Sequence, residues 1–125
     1  MTDPRVVELD EKTKETVTTA ELAAIGPVIA PATSLAIHVP VLIVNGQFDQ
    51  LVCGDGMAIC ASAAALAAAE APFFAPEACL QTVVTPRSGH DLNLEPSAPD
   101  TYAAIRAWSD KYVGLKAAAP PCTQS

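Results

Sequence analysis

An α/β fold built on parallel strands is what this sequence predicts, and three observations predict it. Residues 39–45 form an apolar, mostly β-branched run that ends in Asn45-Gly46, the pattern of a strand buried on both faces and finished by a turn. The alanine-rich stretch at residues 57–71 has high helix propensity, with Asp55 placed to cap it and Pro72 to stop it. A second strand is expected at residues 80–85, followed by a loop broken by Pro86, Ser88 and Gly89. Strand, helix and strand in that order imply a right-handed parallel crossover.

A last helix is expected after this unit. Pro99 suits its first turn, and Tyr102, Ile105, Trp108 and Tyr112 recur at helical spacing, which predicts a face that packs on the sheet and needs no cofactor. Ahead of the first strand, residues 1–17 are polar and charged, with Glu8, Asp10, Glu11, Lys12, Lys14 and Glu15 forming a solvated lead-in. From Thr18 a short helix is expected, capped by Thr18 or Thr19 and closed by Gly26-Pro27, after which Pro27 and Pro31 keep the chain irregular up to Ser34. The organisation predicted is a lead-in and cap-like segment (1–34), an α/β unit (35–115) and a flexible tail (116–125) containing Pro120-Pro121. Only two strands are evident, and a parallel sheet is normally extended and covered on both faces. The expected sheet is therefore incomplete, with residues 39–45 as apolar as a central strand in want of a neighbour.

Composition narrows the function classes. A chain of 125 residues, half of them hydrophobic and 17% charged, fits one folded domain. Fourteen acidic residues against seven basic ones give a net charge of −7 with no basic stripe, which argues against nucleic acid. Residues 57–71 include Ser62 and Glu70 and fall short of the roughly 20 residues of a membrane span. Met1 to Arg5 show no secretory pattern, so a cytoplasmic location is expected if Met1 is the natural start, with secretion of a longer precursor as the alternative. The four cysteines lack the paired spacing of a zinc site, and no metal is expected. Cys53 and Cys60 are close enough to bridge around Gly54-Asp55-Gly56, or to stand as free thiols in a reducing compartment.

In a parallel sheet, functional groups collect beyond the carboxyl ends of the strands. Asp49 follows the first strand in Gly46-Gln47-Phe48-Asp49, and His90 follows the second in Ser88-Gly89-His90. Neighbouring strands would bring the two together, and a carboxylate bonded to an imidazole fixes its tautomer and stabilises the imidazolium. Taken alone, Asp49 is also a plain turn-former or helix cap, and His90 an exposed loop residue. His38 lies at the wrong end of its strand for chemistry. Asp91 and Asn93 suit loop-shaping roles. Cys53 is a conceivable nucleophile, but it sits four residues past the acid and is read as structural.

These residues are where the sequence resembles the α/β-hydrolase family. The strand with Gly46-x-x-Asp49, the helix, the second strand, and Gly89-His90-Asp91-Leu92-Asn93-Leu94 before a Trp-containing helix are similar to the last two strands and helices of that fold, over residues 35–113. Residues 1–34 are similar to the loop or cap that precedes them. The resemblance implies that Asp49 is the acid and His90 the general base of a Ser-Asp-His triad, in the family's order of nucleophile, acid, histidine. Two departures accompany it. Ser34, Ser62, Ser88, Ser97, Ser109 and Ser125 all lack the Gly-x-Ser-x-Gly frame, and no glycine-rich segment supplies an oxyanion hole. Some family members also carry a second histidine where this chain has Glu95. The expectation is the C-terminal part of an α/β-hydrolase that contributes acid and histidine to the hydrolysis of a small ester and is inactive alone. Its expected partner is a complementary N-terminal half or a second copy, joined through an open sheet edge. The alternative is a non-catalytic interaction module using that same edge.

Overall fold

Pro40 has no backbone N–H to give a ladder, and the first strand begins just beyond it. The computed structural model describes residues 2–28, 31–54 and 58–113. Strand β1 spans Leu42–Gly46 and strand β2 spans Gln81–Thr85, paired in parallel from Leu42 opposite Gln81 to Gly46 opposite Thr85. Val41 already bonds across the gap, donating to Ala78 O at 2.8 Å and accepting from Gln81 N at 3.0 Å. The chain is a small α/β domain whose described sheet has only these two strands.

Parallel register assigns the two faces. Ile43, Asn45, Thr82 and Val84 point one way, toward helix α4 (Ala63–Glu70): the Thr82 hydroxyl donates to Ala63 O at 2.7 Å, and Ile43 and Val84 pack on a buried cluster of Leu66, Cys53 and Cys60. The other face meets helix α5 (Ala98–Tyr112), where the Thr85 and Thr101 hydroxyls share a buried 2.9 Å hydrogen bond and Gln81 bonds Tyr112 Oη. Strand, crossover helix and strand thus form as predicted, with a helix on each face.

Several expectations are corrected. The strand residues are half-buried, not buried on both faces, except for Gly46 and Thr85 at their carboxyl ends. The eight-residue α4 is mostly alanine, and methyl groups cover little of the sheet beneath them. The alanine-rich helix starts at Ala63 because the Ser62 hydroxyl caps it, accepting from Ala65 N at 3.1 Å. A 3-10 turn at Ile59–Ala61 precedes it, and the expected cap Asp55 lies outside the described residues. On α5 the apolar face is rotated: Ala98 and Thr101 are buried and Trp108 and Tyr112 half-buried, while Tyr102 and Ile105 are exposed. Tyr102 instead donates its hydroxyl to Asn93 Oδ1 at 2.8 Å.

The lead-in is helical. Helix α1 (Pro4–Thr13) buries none of its residues, and its start is fixed by Asp3, which accepts from Arg5 N, and by Pro4 in the first turn. Lys12 pairs with Glu8 and Lys14 with Glu11 along its surface. Helix α2 (Thr19–Val28) begins with a capping box: Thr18 Oγ1 accepts from Glu21 N, and Glu21 Oε2 accepts from Thr18 N. It runs through Gly26-Pro27, where it was expected to close. Residues 31–36 then form a 3-10 turn in place of an irregular stretch, and the tail at residues 116–125 lies outside the described residues.

Two outcomes follow from this packing. Leu66→Ala is expected to lower unfolding free energy by about 2–5 kcal/mol because Leu66 is 1% exposed, whereas Leu22→Ala on exposed α2 should change it by about 0.5 kcal/mol or less. Equal losses in urea unfolding would contradict this core. The Thr18 N–H, and after it the Thr18 hydroxyl, hold the Glu21 carboxyl below its ordinary value. The stabilisation from that cap is thus present above the free-carboxyl value and lost as pH falls through the depressed one. The difference in helicity between the wild type and Glu21→Gln, followed by circular dichroism, should shrink on acidification. A difference that grew would exclude the cap.

Candidate active site

The Asp49 and His90 loops leave adjacent strands and are laced together by backbone. Gln47 N donates to Thr85 O at 2.9 Å, continuing the ladder one step past the strands, and Phe48 N donates to Ser88 O at 2.8 Å. The Gln47 side chain closes the join, its Oε1 accepting from Arg87 N at 3.1 Å. Gly46 is what lets the loops meet. A Cβ there would lie 2.1 Å from Gly89 O and 2.4 Å from Ser88 O, so no side chain fits between the end of β1 and the His90 loop.

Asp49 then turns the chain into helix α3 (Gln50–Cys53). Its Oδ1 accepts from Leu51 N and from Val52 N, each at 3.1 Å, as the N-cap of that helix. Its Oδ2 lies 2.9 Å from His90 Nδ1. The carboxylate is almost wholly buried while the imidazole is 53% exposed, and Nδ1 is the ring nitrogen that faces the acid. Asp49 thus caps a helix with one oxygen and meets His90 with the other.

The far side of the His90 loop is held by hydroxyls and by the lead-in. Ser88 is fully buried, bonded to Ser97 Oγ at 2.6 Å and to Pro86 O at 3.3 Å. Ser97 precedes α5 without a side-chain capping bond, its hydroxyl being spent on Ser88. Glu95 Oε1 accepts from Thr2 Oγ1 at 2.8 Å and from Gly89 N at 3.4 Å, while Oε2 is buried without a partner. Thr2, Val6, Val7 and Asp10 line a pocket of about 170 Å³ with Asp91, Leu94 and Glu95. The sequence pointed to neither the Ser88–Ser97 pair nor the contact between Thr2 and Glu95, since serines nine positions apart carry no local signature.

The remaining candidates separate from the pair. His38 is exposed, and its Nδ1 is 3.9 Å from Glu77 at the opposite end of the strands. Asp91 and Asn93 shape the turn after His90, with Leu94 N donating to Asp91 O and Asn93 receiving Tyr102. Cys53 is bonded to Cys60 and 3% exposed, so its sulfur is not a free thiolate. Cys79 is also disulfide-bonded. Among the described residues no group of three or more His, Cys, Asp and Glu side chains is placed to hold a metal ion, and no helix is long and apolar enough to cross a membrane. The sequence matches no protein-family model and no curated protein.

The two glycines of the join give a direct test. Gly46→Ala should destabilise the fold by about 1–3 kcal/mol. Gly89→Ala, whose new methyl would meet nothing closer than Glu95 Oε1 at 3.9 Å, should stay within about 1 kcal/mol of wild type in the same urea titration. The reverse order would mean that the loops do not approach as described.

Proposed function

We propose that this chain supplies the acid and the histidine of a serine-hydrolase site of the α/β-hydrolase type, acting on a small ester once a nucleophile is brought to His90 Nε2. The observation that carries the reading is the Asp49–His90 pair itself: a buried, doubly amide-bonded carboxylate 2.9 Å from Nδ1 of a half-exposed imidazole. In such a site the serine attacks the carbonyl, and His90 takes its proton at Nε2 and returns it to the leaving alcohol. Asp49 keeps Nδ1 protonated and stabilises the imidazolium. Water then releases the acyl group by the same route. Two of the described serines are already engaged elsewhere, Ser88 being buried and bonded to Ser97 and Ser62 capping α4, which supports a nucleophile supplied by another segment.

A second reading, an interaction module without catalysis, is favoured by a different observation. Each strand has one edge with no strand neighbour among the described residues. Phe48, Leu51 and Val52 are exposed on the loop and turn that follow β1, and apolar exposure close together in the chain is what a contact surface requires. The two readings are compatible, because a complementary half or a second copy laid along that edge would cover the same side chains. As for compartment, a cytoplasmic location requires the Cys53–Cys60 bond to form against a reducing milieu, and secretion of a longer precursor does not. We favour the second.

Activity assays separate the readings. The chain alone should hydrolyse an activated ester no faster than free imidazole at equal concentration. Joined to a segment carrying a serine elbow, it should turn over, and His90→Ala or Asp49→Asn should then lower kcat by about 10³–10⁴-fold. A completed enzyme indifferent to both substitutions would refute the hydrolase reading. Turnover by the chain alone that vanished in His90→Ala would refute the need for a second piece.

A further inference from the structure

Helix α3 is one turn long, and isolated turns of helix are not stable in water. Yet its first amides are the ones that hold Asp49 Oδ1. Its anchorage is therefore what sets the acid. Leu51 and Val52 are 77% and 54% exposed and hold nothing down. Gln50 is exposed as well, and Gly54 follows at φ 70° with open space around it. Cys53 is the one buried side chain of α3. It is bonded to Cys60, which is 0% exposed and packs with Leu66 against Ile43 and Val84. Asn45 Nδ2 lies 3.9 Å from one sulfur and 3.7 Å from the other, so the bridge rests directly on β1. One covalent bond ties the acid's turn to the core.

We infer that the Cys53–Cys60 disulfide is the positioning element for Asp49 and makes the Asp49–His90 pair dependent on oxidation. This inference rests on reading that pair as acid and base of a hydrolase site. A dithiol reductant would pass two electrons and two protons to the bridge, leaving two thiols on the chain and a disulfide on the reductant. With Cys53 released, α3 frays, Leu51 and Val52 withdraw their N–H groups, and the carboxylate loses the backbone that aims Oδ2 at His90. The sheet keeps its own backbone ladder, which does not pass through the bridge, so the effect falls on the acid's loop. The bridge closes only seven positions of chain, and short loops constrain the unfolded ensemble less than long ones, which fits a local role.

The test uses the full ¹⁵N-labelled chain, oxidised and dithiol-treated, with Cys53→Ala/Cys60→Ala as the form that leaves Cys79 untouched. Amide exchange at Leu51 and Val52 is followed against Val44 and Val83 in the sheet, and the His90 ring resonances against those of Asp49→Asn. Loss of the bridge should speed Leu51 and Val52 exchange by about tenfold or more, leave Val44 and Val83 within about twofold, and move the His90 signals toward their Asp49→Asn position. The inference is overturned if the Leu51, Val52 and His90 signals do not respond. It is equally overturned if sheet amides lose protection in step with them in both the treated chain and the double variant, since the bridge would then merely hold up the fold. If His90 resonates identically in wild type and Asp49→Asn, the acid–histidine reading itself fails, while the amides of Leu51 and Val52 still report what the bridge does.

Discussion

The backbone of the His90 loop runs against Gly46 so closely that a single carbon added there would overlap two carbonyl oxygens. The contact between Asp49 and His90 depends on that approach. Phe48 N can reach Ser88 O because the end of β1 carries no side chain, and that bond holds the start of the Asp49 loop beside the loop of His90. The approach is supported from outside by the buried Ser88–Ser97 pair and by Glu95 on Gly89 N. From inside it is supported by the turn of helix that Asp49 caps and Cys53 anchors. The two supports use different physics. Short polar contacts fix the histidine's loop, and a covalent bridge fixes the acid's.

What the sequence disclosed follows from which signals are local. Residues 39–45 and 80–85 announced strands through their β-branched composition, and a parallel crossover then placed Asp49 and His90 at one edge without further information. Thr18 as a cap and Pro99 in a first turn were legible because capping depends on a few neighbouring residues. The rotated face of α5 was not legible. Tyr102 and Ile105 have the right spacing and size, but the face that meets β2 is chosen by the Thr85–Thr101 bond and by Gln81 with Tyr112, pairs that periodicity cannot see. Ser62 displaced the expected start of the alanine-rich helix for a related reason: uniform helix propensity gives no boundary, and a single hydroxyl decides it.

The thinness of the core is a physical statement about the fold. Leu66 is the one large aliphatic side chain buried among the described residues, and the strand residues ahead of Gly46 and Thr85 are only half-buried. Burial of apolar area is the main favourable term in folding, so a sheet this lightly covered gains much from any further strand or helix laid on its edge.

The central claim is that Asp49 holds the proton of His90 on Nδ1 and leaves Nε2 as an acceptor. The ¹⁵N chemical shifts of the neutral His90 ring in the oxidised wild-type chain measure this most directly, because protonated and unprotonated ring nitrogens are well separated in frequency. An Asp49 carboxylate bonded to the ring predicts a protonated Nδ1 and an unprotonated Nε2. A ring protonated at Nε2, the preference of free imidazole side chains in water, would contradict it and leave Asp49 as a helix cap alone.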